Sequence, residues 1–284
     1  MFYHYPDIRR VVLVVLDGLR ADAIPALGLR CWQQLANFGA SSLCGTTVTP
    51  SITTAALASL LTGAVPEVHG LRSDRFHLPR SQGKLQPLPK VLAAAGLPTS
   101  SFLPRLPWVF RGFAKRVGRF LGIGVSSFSG RSCREVLFAS WEQMLVQERG
   151  LIFLHWTDAD VAGHAHGWMS GEYARAAHRL DQALGLLAAI ADVERDPGTL
   201  LIALADHGGG GLEPRDHDGD HPLNRTIPLL LAGGAVCGDD LDEPSLLDVP
   251  ATVLWALGVP LPDNYAGRPL YEAFTPRALA VAQE

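Results

Sequence analysis

Residues 199–211 read TLLIALADHGGGG, and the fold turns on how that stretch is interpreted. Thr199–Ala205 is a short, continuously apolar run bounded by turn residues, the pattern of a strand buried on both faces of a parallel sheet. It stops at a carboxylate and an imidazole, Asp206 and His207, followed by four glycines. Ligands of open α/β sheets gather beyond the carboxyl ends of strands, so an Asp-His pair there is a candidate metal or catalytic site. One such dipeptide fits a capping Asp beside an incidental His equally well. Partners at other strand ends decide between the two.

Those partners come from similar runs elsewhere. Residues 9–16 (RRVVLVVL) predict a first buried strand that ends at Asp17-Gly18. Residues 151–156 (LIFLHW) predict another, followed by Asp158, Asp160 and His164. Further strands are expected at 98–103 and 226–232. Helical apolar spacing appears at 24–39, 53–62, 88–95, 135–147, 172–193 and 247–257, several of these stretches stopped by glycine. Residues 40–52, rich in Ser and Thr, read as a loop. Strands alternating with helices define the expected fold class: α/β, a doubly wound and mostly parallel sheet with helices on both faces.

The chain has 284 residues, 48% of them hydrophobic, enough for one large α/β domain or two small ones. The net charge of −4 hides an asymmetry: residues 1–134 hold 16 Lys/Arg against 5 Asp/Glu, and residues 135–284 hold 8 against 23. Acidic groups suit cations and basic ones suit anions such as phosphate. Two oppositely charged faces of one solvated protein explain the asymmetry as well. The apolar run 11–16 is too short for a signal sequence or a membrane span. Cys31, Cys44, Cys133 and Cys237 form no CxxC pair. Dispersed thiols of this kind suggest reduced cysteines and a cytoplasmic protein.

Residues 104–134 fit the alternation worst. They carry seven Arg or Lys and no acidic residue. Val109, Phe113, Val117 and Phe120 share a helical face, yet Gly112, Gly118 and Gly122 each weaken a helix by about 1 kcal/mol. The expectation is a small basic insertion or cap near the site mouth, within a single catalytic domain spanning 1–284. A solvated excursion and a membrane-surface patch are the alternatives.

Three strand ends thus supply Asp17, then Asp160 and His164, then Asp206 and His207. Asp160 and His164 stand at i, i+4, which places both on one side of a helix start. Carboxylates with imidazoles suit zinc or a similar divalent ion. His217 and His221 follow in the stretch 215–222, RDHDGDHP. Ser51, Thr53 or Thr54 precedes a helix whose N-terminus favours anions. A hydroxyl there is also an ordinary N-cap.

The motifs VVLDG (14–18), Thr53, LLTGAVPEVHG (60–70), Asp160-x-x-Gly163-His164, Asp206-His207-Gly208 and a later His before an apolar strand resemble the alkaline phosphatase superfamily. They are most similar to its type I phosphodiesterase/nucleotide pyrophosphatase branch. The tail, with LDVPATVL (247–254) and GRPL (267–270), resembles the end of that superfamily's core, so the likeness spans roughly 11–270. It implies an alkaline phosphatase-like α/β/α sandwich and two divalent metal ions, Zn2+ or alternatively Mn2+. Asp17, Thr53, Asp206 and His207 would surround one ion; Asp160, His164 and His217 would hold the other. His217 is preferred to His221, and Thr53 is the implied nucleophile, forming a phosphothreonine that water then hydrolyses.

The resemblance further suggests an Asn three residues after the nucleophile, where this chain has Ala56. A sulfatase is disfavoured, because Thr53 cannot be converted to the aldehyde such enzymes use. Phosphomutases of the superfamily carry a larger inserted domain than fits here. The expectation is a cytoplasmic two-metal hydrolase acting on a small-molecule phosphodiester or nucleotide pyrophosphate. A phosphomonoesterase or phosphonate hydrolase is the alternative, and an inactive metal-binding scaffold a remoter one. No nucleic-acid partner is expected, since the basic stretch lacks a known motif.

Overall fold

Runs of Val, Leu and Ile such as 11–16 and 200–204 can satisfy their backbone only in a sheet covered on both faces. They form its middle here. The structure, a computed structural model, describes residues 7–73, 85–233, 235–237 and 240–274. In chain order the elements are β1 (Arg10–Leu16), α1 (Ala23–Leu27), α2 (Arg30–Phe38), β2 (Ala40–Thr46), α3 (Thr53–Thr62), α4 (Pro66–His69), α5 (Leu88–Ala94), β3 (Thr99–Pro104) and α6 (Trp108–Phe120). There follow β4 (Ile123–Gly130), α7 (Cys133–Val146), β5 (Gly150–Trp156), α8 (Asp158–His166), α9 (Gly171–Ile190), β6 (Thr199–Leu204), α10 (Pro222–Arg225), β7 (Thr226–Gly233) and α11 (Asp248–Ala256).

Among the described residues the sheet has seven strands in the order β2-β7-β6-β1-β5-β3-β4. Every residue of β1, β5 and β6 is buried. β1 pairs in parallel with β5 and β6, aligning Leu16 with Trp156 and Val15 with Leu204. Strands β3, β4 and β5 continue the parallel pairing, and β7 alone runs antiparallel to both its neighbours. Helices α7, α8 and α9 pack together over one face; α3, α5 and α11 pack together over the other. The register brings the carboxyl ends of β1, β5 and β6 to one edge, where the metal-competent residues emerge.

Three expectations change. Residues 40–52, read as a loop, begin with strand β2 (Ala40–Thr46), which pairs with β7. The helix expected at 24–39 is two, because the chain turns at Gly28, which has φ +62°. Residues 104–134, expected as an insertion or cap, instead form α6 and the outermost strand β4, the end unit of the sheet. The glycine penalty in α6 is offset by contact. Gly118 is the buried residue of α6, and a Cβ there would stand 3.1 Å from Ser126 Oγ of β4. The missing side chain lets the helix lie close on the edge strand. Among the described residues, no helix is long and apolar enough to cross a membrane.

Candidate metal centre

Asp17 follows β1 directly, and its backbone N–H donates to Trp156 O of β5 at 2.9 Å. The carboxylate is divided between two tasks. Oδ2 accepts from His155 Nε2 at 2.8 Å, while Oδ1 lies 3.5 Å from Thr53 Oγ1 and 3.4 Å from His207 Nε2. Asp206, fully buried after β6, is similarly split. Its Oδ1 accepts from the backbone N–H groups of Gly18 and His207 at 3.3 and 3.0 Å. Its Oδ2 is buried with no hydrogen-bond partner and lies 3.6 Å from His207 Nε2.

Asp160, in the first turn of α8, points Oδ1 at His164 Nε2 (3.4 Å) and His217 Nε2 (3.7 Å). That oxygen too is buried without a hydrogen-bond partner. His164 and His217 face one another, Nε2 to Nε2, at 3.1 Å. His207 and His217 stack with ring centroids 3.8 Å apart. Two ligand sets result, Asp17-Asp206-His207 and Asp160-His207-His217, each with donor atoms within 4.8 Å of one another. They meet at His207, and His164 flanks the second.

The imidazoles are oriented by the main chain. His207 Nδ1 donates to Gly208 O at 2.8 Å, His217 Nδ1 to Ser51 O at 2.8 Å and His164 Nδ1 to Arg215 O at 2.9 Å. A carbonyl only accepts, so each Nδ1 carries the proton and each Nε2 presents a lone pair inward. Three inward lone pairs, two unpartnered carboxylate oxygens and a third carboxylate form a set that repels itself in the absence of positive charge. Burial, reinforced by Asp206 and Asp160, holds the Asp17 carboxyl well above the ordinary carboxylate range. Burial likewise raises Asp160 and, with His207, lowers His217. Mixed carboxylate and imidazole donors with fixed tautomers fit divalent transition-metal ions.

Thr53 opens α3, and its Oγ1 lies 3.1 Å from His207 Nε2. The neighbouring Ser51 hydroxyl is committed elsewhere, donating to His217 O at 2.8 Å. His221 is also committed: it caps α10, with Nδ1 accepting from Leu223 N at 3.1 Å. The structure therefore brings His217, not His221, to Asp160. Ala56 is fully buried in the hydrophobic core, so position 56 serves packing and presents no group to the site.

Two residues of the centre were not singled out from the sequence. His155, the penultimate residue of β5, holds Asp17 from behind; burial lowers its pKa to about 4, leaving a neutral ring whose Nε2–H donates. The signal available was a histidine inside an otherwise apolar strand. Trp168 is the other. Its Nε1 donates to Gly18 O at 2.9 Å, and its ring stands edge-on to His164 and His217. The glycine run accommodates it, for a Cβ on Gly209 would run into the Trp168 ring. In that run, Gly209 accommodates a tryptophan and not a ligand.

A parallel sheet ending in these carboxylates and imidazoles is an alkaline phosphatase-like α/β fold. The chain belongs to the type I phosphodiesterase / nucleotide pyrophosphatase family, whose model matches residues 11–87 and 103–236. A 2,3-bisphosphoglycerate-independent phosphoglycerate mutase of a Synechococcus strain is 33% identical over 155 residues, 50% of this chain and 28% of that protein. Rat ectonucleotide pyrophosphatase/phosphodiesterase family member 1 is 25% identical over 228 residues, 69% of this chain and 24% of that one. The matches thus span about a quarter of these relatives' lengths. In fold, the chain is similar to human ectonucleotide pyrophosphatase/phosphodiesterase 5, with TM-score 0.69, 14% identity, and 93% and 99% of the two chains covered. The murine counterpart, solved with AMP as an inactive threonine-to-alanine variant, gives TM-score 0.68 at 15% identity, covering 89% of this chain and 96% of that one.

Proposed function

We propose that this protein is a two-metal phosphoesterase that hydrolyses a phosphodiester or nucleotide pyrophosphate bond of a small-molecule substrate through Thr53. The observation that carries the reading is the position of the Thr53 hydroxyl. It lies at the N-terminus of α3, within 3.5 Å of both Asp17 Oδ1 and His207 Nε2. Divalent cations, zinc or manganese by the donor set, would supply charge stabilisation and a lowered hydroxyl pKa when bound by Asp17, Thr53, Asp206 and His207 and by Asp160, His164 and His217.

The chain's own groups account for the rest. The α3 N-terminus turns N–H groups and the positive end of its dipole toward a phosphoryl group. Thr53 gives up its hydroxyl proton to solvent, Oγ1 forms the new bond to phosphorus, and the bond to the leaving oxygen breaks; that oxygen departs with the electron pair and takes a proton from water. Water then displaces the phosphoryl group from Thr53. His155 and the Gly18 and His207 amides keep Asp17 and Asp206 oriented throughout. The family membership, the AMP held by the murine relative and the inactivity of its threonine-to-alanine variant support this reading. The unpaired thiols Cys31, Cys44, Cys133 and Cys237 support a reducing, cytoplasmic setting.

The test compares bis(p-nitrophenyl) phosphate with p-nitrophenyl phosphate on zinc- and manganese-loaded protein, beside Thr53→Ala. Diester preference and a loss of roughly 10^3-fold or more in the variant are expected. A clear monoester preference would point to a phosphomonoesterase or phosphonate hydrolase. Undiminished turnover by Thr53→Ala would refute the nucleophile, and no turnover by the wild type would leave a metal-binding scaffold.

A further inference from the structure

Helix α6 displays what soluble surfaces usually hide. At 100° per residue, Val109, Phe110, Phe113, Val117 and Phe120 fall within an arc of about 100°. All five are exposed, Phe113 at 60% and Phe120 at 75%, and Trp108 at the helix start is 81% exposed. The helix rests on β4 through the strip containing Ala114 and Gly118. Arg111, Lys115, Arg116 and Arg119 occupy the remaining arc. Lys90 adds a further cation, 5.3 Å from the Phe120 ring centroid. Residues 104–134 contain no acidic residue at all.

We propose that α6 docks this protein on the surface of an anionic phospholipid membrane. The charge is complementary to such a surface: basic residues flank the apolar stripe, as in helices that lie in the headgroup layer. The shape agrees. The aromatic rings stand exposed along an external helix, so a deformable headgroup and acyl boundary accommodates them where a rigid protein partner would need a matching cleft. A second α6 would bring cations against cations. Nucleic acid would match the charge but offers no hydrocarbon for Val109 and Val117. The crossover from β3 starts α6 at the carboxyl end of the parallel strands, on the same edge as Asp17 and Asp206. Docking through α6 does not depend on the phosphodiesterase reading and stands whether or not that reading holds.

The experiment is co-sedimentation of the full chain with phosphatidylglycerol/phosphatidylcholine vesicles and with phosphatidylcholine vesicles. Binding to the anionic vesicles, weakened by 0.5 M salt, is expected. Each cation near an anionic surface is worth about 1 kcal/mol, or roughly five-fold, so R116E/R119E is expected to lower partitioning at least about 25-fold. F113S/F120S is expected to lower it at least ten-fold. Both variants should keep the wild-type melting temperature and phosphoester turnover, because all four side chains are exposed on a helix packed against the edge strand β4, three positions from β1 in the sheet. Equal partitioning to both vesicle types would overturn the proposal, as would variants that sediment like the wild type. So would a patch-dependent preference for a single-stranded oligonucleotide or for self-association over vesicles.

Discussion

Asp206→Asn should stabilise the metal-free protein while removing its response to metal. In the structure Asp206 Oδ1 already accepts two backbone N–H groups, whereas Oδ2 is buried, unpartnered and directed toward the Asp17 side of the centre. An asparagine keeps the accepting oxygen and replaces Oδ2 with a donor. Two like charges within the 4.8 Å spanned by these ligand atoms repel by about 3 kcal/mol at an effective dielectric constant of 20. Proton uptake by Asp17 relieves part of that, so a gain of about 1–3 kcal/mol is expected. For a chain of this size the melting temperature should rise by roughly 3–9 °C. The sign with pH follows from the raised Asp17 pKa. The folded carboxyl keeps a proton that the unfolded chain has released, so the contribution of Asp17 to the stability of the chelated wild type is fully present only below about pH 4. That contribution is lost as pH rises through the folded value, and Asp206→Asn flattens the loss. Differential scanning fluorimetry with chelator and with added zinc reads all of this. If chelation leaves the wild-type melting temperature unchanged and Asp206→Asn lowers it, these carboxylates do not form a cation cage.

Three further substitutions separate the roles of neighbouring groups. His155→Phe removes the donor to Asp17 and should weaken metal affinity about 10–100-fold by competition titration, with His155→Gln partly restoring it; unchanged affinity in the Phe variant would make His155 a packing residue. His217→Ala should lose one ion per chain by elemental analysis, whereas His221→Ala should keep both and cost about 1 kcal/mol of stability as a lost cap; the reverse pattern would exchange the two histidines. Arg10→Leu tests the opposite edge of the sheet, where the buried guanidinium donates to Met144 O, Gln147 O and Ala191 O. Orphaning these carbonyls should cost about 3 kcal/mol in thermal unfolding with turnover unaltered, and a neutral result would mean that water replaces the guanidinium.

How far the fold could be read from the chain depended on a strand's place in the sheet. β1, β5, β6 and β7 lie in the middle, and burial on both faces demands the continuous apolar runs that pattern reading detects. β2 and β4 are the two edges. β2 reads ASSLCGT, pairs with β7 through a register shift between Ser42 and Gly45, and on its outer side meets isolated bridges at Asp240 and Ser245. β4, IGVSSFSG, ends the strand order at the other side. An edge strand is free to be small and polar, so these two stretches looked like a loop and part of an insertion. The basic character of 104–134 is real, but it is carried by an external helix of the sheet layer and not by an inserted segment.

The site divides along a different line. Asp17, Asp160, Asp206 and His207 were legible because topology delivers strand ends to one edge, and a sequence shows where strands end. The tautomers were not legible. Those of His207, His217 and His164 are fixed by the carbonyls of Gly208, Ser51 and Arg215, groups that every residue possesses. Side-chain chemistry at 215 therefore matters less than the path of the backbone there, while Ser51 adds its hydroxyl, donated to His217 O, to the carbonyl that orients the ring. Replacing Arg215 by Ala leaves the carbonyl in place, whereas a residue that redirects the chain turns an Nε2 lone pair away from Asp160. The first histidine shell of this centre is written in residue identities, and the shell that orients it in loop conformation.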